Sequence, residues 1–303
     1  RTTEERHIRV VQEALQWLHQ RDLIYRGEYE GFYSPRVEKF FTEAELKDGR
    51  CPETGGEVHK IKEANYFFRM SLYRDQLIDH IHKHPDFIRP ESRRNEVLGF
   101  LAQPLSDLCI SRPKKRLSWG IELPFDPDYV TYVWFDALLN YASAIGLYAD
   151  PPRFEHWWPG VRHLIGKDIL TTHCVYWMTM LMALEIPLPK EVIAHGWWLI
   201  DDTKMSKSLG NVVSPLALRD KVGTDSLRYF LMREMVVGQD ASFSELALLR
   251  RHNSDLANDL GNLLSRLVKF VGMAFDGAIP PLGPEEGPDA EVRVQAEALP
   301  EQV

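Results

Sequence analysis

The sequence predicts an α/β chain built on a parallel sheet, and three observations carry that expectation. Strand-like and helical runs alternate from Asp128 onward, glycine or acidic turn residues stand where βα connections need them, and residues 246–275 are helical by periodicity. The 303 residues, 44% of them apolar, suffice for about two domains at the usual ~150 residues each. Lys and Arg number 36 against 44 Asp and Glu, a formal charge of −8, which excludes indiscriminate polyanion binding and confines any nucleic-acid contact to local clusters. The longest apolar-rich stretch, 177–188, is broken by Glu185 and is shorter than the ~20 residues a membrane span requires. Cys51, Cys109 and Cys174 form neither a CxxC pair nor a disulfide framework, which fits a reducing, cytoplasmic compartment. No leader of secretory type is visible.

The chain opens at Arg1 in a segment whose Ile8, Val11, Leu15 and Leu18 already follow helical spacing, so it reads as a piece of something longer. That helix is expected to end near Arg21. From there to about Pro124 the aromatic runs EYEGFYS, KFF and NYFFR suit a small sheet-containing insertion, interrupted by one helix over 71–84 that stops at Pro85. Val130, Tyr132 and Trp134 alternate as a strand should, and Asp136 is placed to cap a helix from Ala137 to about Gly146. His163, Leu164 and Ile165 read as a strand end, Gly166 as the turn, and 169–184 as a long apolar helix. A third strand, 191–200, ends at Asp201 and Asp202. Ser214 and Pro215 start a short helix that Gly223 closes, and another begins after Thr224. In 246–275, Leu256, Leu260, Leu263, Leu264, Leu267, Val271 and Ala274 form one stripe, expected to pack in a helical bundle. The Pro/Gly/Glu run to Pro288 reads as a linker, and the last fifteen residues as an incomplete element.

The chemistry concentrates in Lys204-Met205-Ser206-Lys207-Ser208, followed by Leu209-Gly210-Asn211. Two ammonium groups three residues apart, flanked by hydroxyls and a Gly-Asn turn, make a loop able to clamp a polyphosphate while charge moves onto a leaving group. A KxxK alone would read as a solvated lysine loop. The whole string, placed after a βα unit, resembles the KMSKS signature of the class I aminoacyl-tRNA synthetases at all five positions. Further strings narrow the resemblance to the methionyl-tRNA synthetase family: YVWFDA at 132–137, IGKDI at 165–169 with His173, HGW at 195–197, ISRP at 110–113 with WGI at 119–121, and DLGNLLSR at 259–266.

The resemblance implies the second half of a class I Rossmann-like parallel sheet with an inserted connective-peptide domain and a C-terminal helical anticodon-binding bundle. Its expected boundaries are 1–21 for the end of the first half, 22–124 for the insertion, 125–200 for the second half, 201–245 for the KMSKS loop and stem-contact region, and 246–303 for the start of the bundle. It also implies that methionine is activated by ATP, with Mg²⁺ on the phosphates, and then transferred to tRNA(Met). Lys204, Ser206, Lys207 and Ser208 would stabilise the pyrophosphate side of the transition state, Lys207 foremost, with Arg112 nearby. Trp134, Ala137, Leu138, Tyr141, Ile169 and His173 would line the methionine pocket; position 138 is proline in some members. Gly166, Lys167, Asp168, His195, Gly196, Trp198 and Lys207 would form the ATP site, Asp168 at the ribose.

The residues support part of this independently. Ile169 and His173 share a helix face at i, i+4, as do Ala137 and Tyr141, and an apolar, aromatic wall suits a polarizable thioether. Core packing accounts equally for such a pair in isolation. Gly166, Lys167 and Asp168 follow a strand end, where α/β sheets bind ligands, although Asp168 also reads as a helix cap and Arg112 as a surface residue before Pro113. Asn262 and Arg266 lie opposite the leucine stripe, and the resemblance makes them anticodon contacts through amide and guanidinium.

Two departures stand out. Where many relatives carry two cysteine pairs of a zinc knuckle, this sequence has Ser34, Val37, Cys51 and Thr54, and one thiolate cannot build a tetrahedral site, so no structural zinc is expected. His80, His82 and His84 read as a solvated face in which only His80 and His84 point the same way. The HxGH motif, which the resemblance makes necessary for ATP binding and which lies upstream in the family, occurs nowhere in the 303 residues, so the isolated chain is expected to be unable to activate methionine. Two alternatives stay open: another class I synthetase such as the cysteinyl or valyl enzyme, against which Trp134 and His173 argue, and a non-catalytic tRNA-binding paralogue, against which the intact KMSKS string argues.

Overall fold

The computed structural model describes residues 1–34, 39–41, 46–52, 54–200, 203–205, 210–279, 281, 283 and 287–302. The chain divides into two compact units, one comprising 1–197 and 235–241, the other 198–234 and 242–303.

The first unit begins with helix α1 (Glu5–Gln20), which buries Val10, Val11, Ala14, Leu15 and Leu18 along one face together with His7. Strand β1 (Ile24–Ser34) pairs antiparallel with β2 (Lys39–Phe41) and with β3 (His59–Phe68), the latter in an unbroken register from Ile24↔Phe68 to Tyr33↔His59. A 3-10 turn, Met70–Tyr73, leads into α2 (Arg74–Lys83), then β4 (Ile88–Arg89) and α3 (Glu91–Leu101). Next, β5 (Leu108–Cys109) adds to β3, while β6 (Ser111–Pro113) and β7 (Glu122–Leu123) flank β8 (Asp126–Thr131). Helices α4 (Val133–Ser143) and α5 (Pro151–Trp157) precede β9 (Arg162–Gly166). A 3-10 turn at Lys167–Ile169, a π-helical stretch at Thr172–Trp177 and α6 (Met178–Ala183) then lead to β10 (Glu191–His195).

Three strands form a parallel sheet, in the order β4-β10-β9; the strand expected at Val130 is not one of them, because β8 pairs antiparallel with β6 and β7 in a sheet of its own, and β4 takes the third place. Register partners run from Glu191↔Arg162 to His195↔Gly166, so β9 and β10 end level with each other. Leucine 164, on the β9 edge of this sheet, is 71% exposed. Beneath the sheet, Leu15 and Leu18 of α1, Leu77 and Ile81 of α2, Phe135 and Leu139 of α4, Trp177, and Val192 of β10 belong to one buried cluster.

Several sequence expectations change here. Segment 22–124 holds the expected small sheet, with antiparallel strands, but also a second helix and, in β4, a strand of the parallel sheet. Strand β4 has only two residues, closely flanked by Pro85 and Pro90, too few to show alternation, yet Ile88 is fully buried. Helix α3 was hidden because its apolar residues crowd its C-terminal half and only Val97 and Leu101 are buried. The run Val130-Tyr132-Trp134 is not one strand. Thr131 ends β8, the carbonyl of Tyr132 accepts from the N–H groups of Phe135 and Asp136, and Trp134 already lies in α4. Asp136 is therefore a first-turn residue and not the cap. The stretch 169–184 is a succession of 3-10, π and α geometry, not one regular helix. The third strand breaks at Gly196 and Trp197, for a reason given below.

In the second unit, β11 (Trp198–Ile200) and β12 (Thr203–Lys204) pair antiparallel. Helix α7 (Pro215–Val222) starts as expected: the Ser214 hydroxyl accepts from the Ala217 N–H at 3.4 Å, and Gly223 closes the helix at φ 84°. Helices α8 (Thr224–Glu234) and α9 (Glu245–Arg251) follow, and Leu218, Leu227, Phe230 and Leu248 pack into a small core against Trp198 and Phe243. Beyond α9 the chain is π-helical over His252–Gly261 and α-helical again in α10 (Asn262–Phe275). The i→i+5 spacing shifts the phase of the leucine stripe predicted at 3.6 residues per turn. Within the described residues nothing covers the stripe: Leu260, Leu263, Leu264 and Leu267 are exposed. The last residues form a sixteen-residue helix, α11 (Gly287–Gln302). No helix among the described residues is long and apolar enough to cross a membrane.

Candidate active site

Helix α4 presents Trp134, Ala137 and Tyr141 at i, i+3 and i+7, all at least partly exposed, whereas Leu138 turns inward and is 1% exposed in the core. The hydroxyl of Tyr141 lies 2.8 Å from Nε2 of His173, in the π-helical stretch, and Nδ1 of His173 lies 2.9 Å from the carbonyl oxygen of Ile169. A carbonyl only accepts, so Nδ1 carries the proton, and neutral Nε2 accepts from the tyrosine O–H. Burial pushes the His173 ring below the usual imidazole range, opposed by the Ile169 carbonyl. Of the six residues expected around methionine, Tyr141, His173 and Ile169 are thus joined by hydrogen bonds, Trp134 and Ala137 share the α4 face of Tyr141, and Leu138 faces the core.

Behind them lies a histidine that the sequence reading did not single out. His163 is 4% exposed, accepts from the Trp177 indole N–H at 3.0 Å, and packs its ring 4.5 Å from that of Tyr141. Burial, then the neighbouring His173, pushes it down to about 4. Position 163 alternates inward on a strand, the one sequence signal that could have marked it as buried. A second unforeseen contact fixes α4 itself: His7 of α1, 1% exposed, places Nε2 at 2.6 Å from Asp136 and Nδ1 at 2.7 Å from the Ser143 hydroxyl.

The level ends of β9 and β10 bring Gly166, Lys167, Asp168, His195 and Gly196 together. Oδ1 of Asp168 accepts from the Trp197 indole at 3.2 Å. A Cβ on Gly166 would stand 2.7 Å from that same Oδ1, so only glycine leaves the carboxylate its place. At Gly196 the constraint is harsher: a Cβ there would lie 2.0 Å from the backbone oxygen of Gln239, because segment 235–241 docks against this point and ends the strand. Arg112 is not a surface residue. It is 8% exposed on β6, donates to the Ser111 carbonyl at 2.7 Å, and its guanidinium stacks 4.4 Å over Tyr132, the residue that caps α4.

In the second unit, Lys204 is exposed on β12, and its carbonyl accepts from the Asn211 amide at 3.3 Å, closing the base of the Lys-Met-Ser-Lys-Ser loop through Gly210 at φ 68°. Ser206, Lys207 and Ser208 lie outside the described residues. Trp198, expected at the nucleotide, packs in this unit 5.6 Å from Phe230. Asn262 and Arg266 are exposed one turn apart on α10.

In the insertion, Ser34 and Cys51 are buried, Thr54 accepts from the Gly56 N–H at 3.4 Å, and Val37 lies outside the described residues. The rings of His80 and His84 pack at a tilt, with centroids 4.5 Å apart. Among the described residues no group of three or more His, Cys, Asp or Glu is placed to hold a metal ion.

The profile of the family described as tRNA synthetases class I (M) matches residues 1–62 and 45–268. The methionine–tRNA ligase of Caldanaerobacter subterraneus subsp. tengcongensis is 48% identical over 304 residues, spanning 100% of this chain and 47% of the relative. That of Clostridium tetani is 51% identical over 282 residues, 92% of this chain and 44% of the relative. Among solved structures, Mycobacterium tuberculosis methionyl-tRNA synthetase in complex with methionyl-adenylate superposes with a TM-score of 0.88 at 44% identity, over 100% of this chain and 60% of that one. The chain thus spans about half the length of the curated relatives it matches.

Proposed function

Because the chain belongs to the class I tRNA synthetases (M), we propose that the protein carrying it is a methionine–tRNA ligase. A methionine carboxylate oxygen attacks the α-phosphorus of ATP, the bond to the β-phosphate breaks, and pyrophosphate leaves. A terminal ribose hydroxyl of tRNA(Met) then attacks the acyl carbon and AMP leaves. Mg²⁺ enters with ATP as part of the substrate.

One observation carries the reading of the amino-acid site: the Tyr141–His173–Ile169 chain of hydrogen bonds, beside the half-exposed Trp134 and Ala137 and adjoining the turn after β9. These residues bring aromatic and neutral groups together, a surface suited to a polarizable thioether and poorly suited to a charged side chain. It comprises Trp134, Ala137, Tyr141, Ile169 and His173, with Leu138 supporting from the core. Nucleotide is assigned to Gly166, Lys167, Asp168, His195, Gly196, Trp198 and Lys207, supported by strand ends that lie level in a parallel sheet. Lys204, Ser206, Lys207 and Ser208 stabilise the leaving pyrophosphate electrostatically, Arg112 holds the entry to α4, and Asn262 and Arg266 meet the anticodon.

The same reading assigns 1–21 to the end of the first half of the catalytic domain and 22–124 to the insertion, from which Ile88–Arg89 contributes a catalytic-sheet strand. It assigns 125–200 to the second half, 201–245 to the KMSKS loop and stem contacts, and 246–303 to the start of the anticodon bundle.

Amino-acid-dependent pyrophosphate exchange in the full-length protein tests this. Exchange driven by methionine, followed by charging of tRNA(Met), is expected. Activation of cysteine but not methionine, or tRNA binding with no exchange at all, overturns it.

A further inference from the structure

Asp240 sits in the segment 235–241, which leaves α8 and returns to the first unit. Backbone contacts seat this segment against the C-terminal ends of the parallel strands. Arg93 donates to the Gly238 carbonyl at 2.7 Å, and the Ala241 N–H donates to the Trp197 carbonyl at 2.9 Å. Gly238 has φ 89°, and a Cβ there would stand 2.4 Å from Pro90, the residue after β4. Gly196, after β10, admits the Gln239 backbone for the same reason. The segment is thus laid across the side of the sheet on which α/β folds bind ligands.

The carboxylate of Asp240 uses both oxygens there. Oδ1 accepts from the Trp197 backbone N–H at 2.8 Å, and Oδ2 lies 2.7 Å from the Lys167 ammonium. That ammonium also stands 4.2 Å from the centroid of the Trp197 ring, and the indole N–H of the same ring holds Asp168 at 3.2 Å. One carboxylate therefore fixes a lysine in the turn after β9 and a tryptophan after β10, and through the tryptophan the neighbouring aspartate. The hydrogen bond from Lys167, then that from the Trp197 N–H, keep Asp240 below the usual carboxylate range against the effect of burial, so it is ionised at neutral pH.

We propose that Asp240 is a positioning residue of the nucleotide site, holding the Lys167 ammonium and the Trp197 ring so that Lys167 and Asp168 are pre-set for ATP. This inference rests on the assignment of Gly166–Asp168 and His195–Gly196 to nucleotide. An unheld lysine is a flexible four-carbon stem whose ordering would have to be supplied by the ligand, whereas a held one has already lost that freedom. The role is separable from folding. The Lys167 and Asp240 side chains are 21% and 31% exposed, a setting in which an ion pair adds little stability, and the segment keeps its backbone bonds from Arg93 and to Trp197 without the carboxylate.

The test uses the full-length protein with Asp240→Ala and Asp240→Asn, read by ATP–pyrophosphate exchange, by equilibrium dialysis of ATP alone, and by urea midpoint. D240A is expected to raise the KM for ATP, and to weaken ATP in dialysis, by about tenfold, the order of a lost charge-assisted hydrogen bond. The KM for methionine and the urea midpoint stay at wild-type values. D240N falls between, since its amide oxygen still accepts from Trp197 but gives Lys167 no counter-charge. In a Lys167→Met background, D240A adds less than it does alone, because its action through Lys167 is already gone. Wild-type ATP binding by D240A overturns the proposal. So does a parallel rise of both KM values with a fallen urea midpoint, or full additivity with K167M. A wild-type protein that activates a different amino acid refutes the methionine reading while leaving the ATP comparison decisive. A wild-type protein that binds no ATP in dialysis refutes both.

Discussion

The Tyr141 hydroxyl donates to Nε2 of His173 across 2.8 Å, while the other ring nitrogen of His173 is tied to the Ile169 carbonyl at 2.9 Å. Both edges of the imidazole are thereby committed, and the ring is fixed in one tautomer and one orientation without any charged partner. The hydroxyl hydrogen of Tyr141 is committed too. In this arrangement the tyrosine keeps its ring face and an oxygen lone pair for other contacts.

His163 behind this pair and His173 within it make stability depend on pH. His163 is pushed down to about 4 and His173 is lowered as well, both first by burial. In the unfolded chain each titrates near ~6.5, so below that pH the unfolded state binds more protons and stability rises with pH. The contribution is complete above the unfolded value and is lost as pH falls from there towards about 4, where His163 itself titrates in the folded state. For His163 the loss amounts to about 3 kcal/mol. Urea denaturation at pH 7, 5.5 and 4.5 is expected to show this decline, and His163→Gln, which keeps an acceptor for the Trp177 N–H, is expected to flatten it.

His7 braces α4 at both of its ring nitrogens, through Asp136 in the first turn and Ser143 in the last. The ring is 1% exposed, so His7→Ala leaves a void and strips the partners of both groups at once. A cost of about 2–4 kcal/mol is expected from these combined losses. Thermal unfolding of the chain checks the magnitude. Arg9→Ala, on the same helix but exposed and paired only with Glu5, is expected to change stability by less than ~0.5 kcal/mol.

What the sequence disclosed and what it withheld divide along physical lines. Strands β9 and β10, the cap at Ser214 and the closing Gly223 were legible because local chemistry specifies them: short apolar runs ended by turn residues, a hydroxyl at the N-cap, a positive φ. The end of the Val130 strand was not, since Tyr132 and Trp134 continue the alternation while the backbone has already turned into α4. Contacts between distant segments were invisible altogether. Nothing local to His7 announces Asp136, and nothing local to Gly196 announces Gln239. Ile169 and His173 were placed on one helix face, yet the link between them is the Ile169 carbonyl and a ring nitrogen.

At Gly196 the structure leaves no room for a side chain. A methyl group there would lie 2.0 Å from the Gln239 oxygen and 2.2 Å from its carbonyl carbon, and both are backbone atoms that cannot step aside as a side-chain tip could. Gly196→Ala is expected to lift segment 235–241 off the strand ends, at a cost of about 3 kcal/mol or more. Limited proteolysis should then cut in that segment. Gly160→Ala, where a Cβ meets nothing within 4 Å, is the matched control and is expected to leave both stability and the cleavage pattern unchanged.

Tyr141→Phe isolates the polar half of the Tyr141–His173 pair, since the ring and its packing against His163 remain. The hydroxyl now donates to Nε2, a bond that exists only while His173 is neutral, so it opposes protonation. Removing it leaves a buried acceptor without its donor, which costs about 1–2 kcal/mol of folding stability. Protonation would relieve part of that cost, because it removes the orphaned lone pair, so the His173 titration is expected to move upward towards the ordinary imidazole range. His163, whose acceptor nitrogen is served by Trp177 and not by Tyr141, is expected to titrate where it did. Histidine ring resonances followed by NMR across pH distinguish the two residues. An unchanged His173 titration in the variant would show that burial alone, not the tyrosine hydroxyl, keeps the ring neutral.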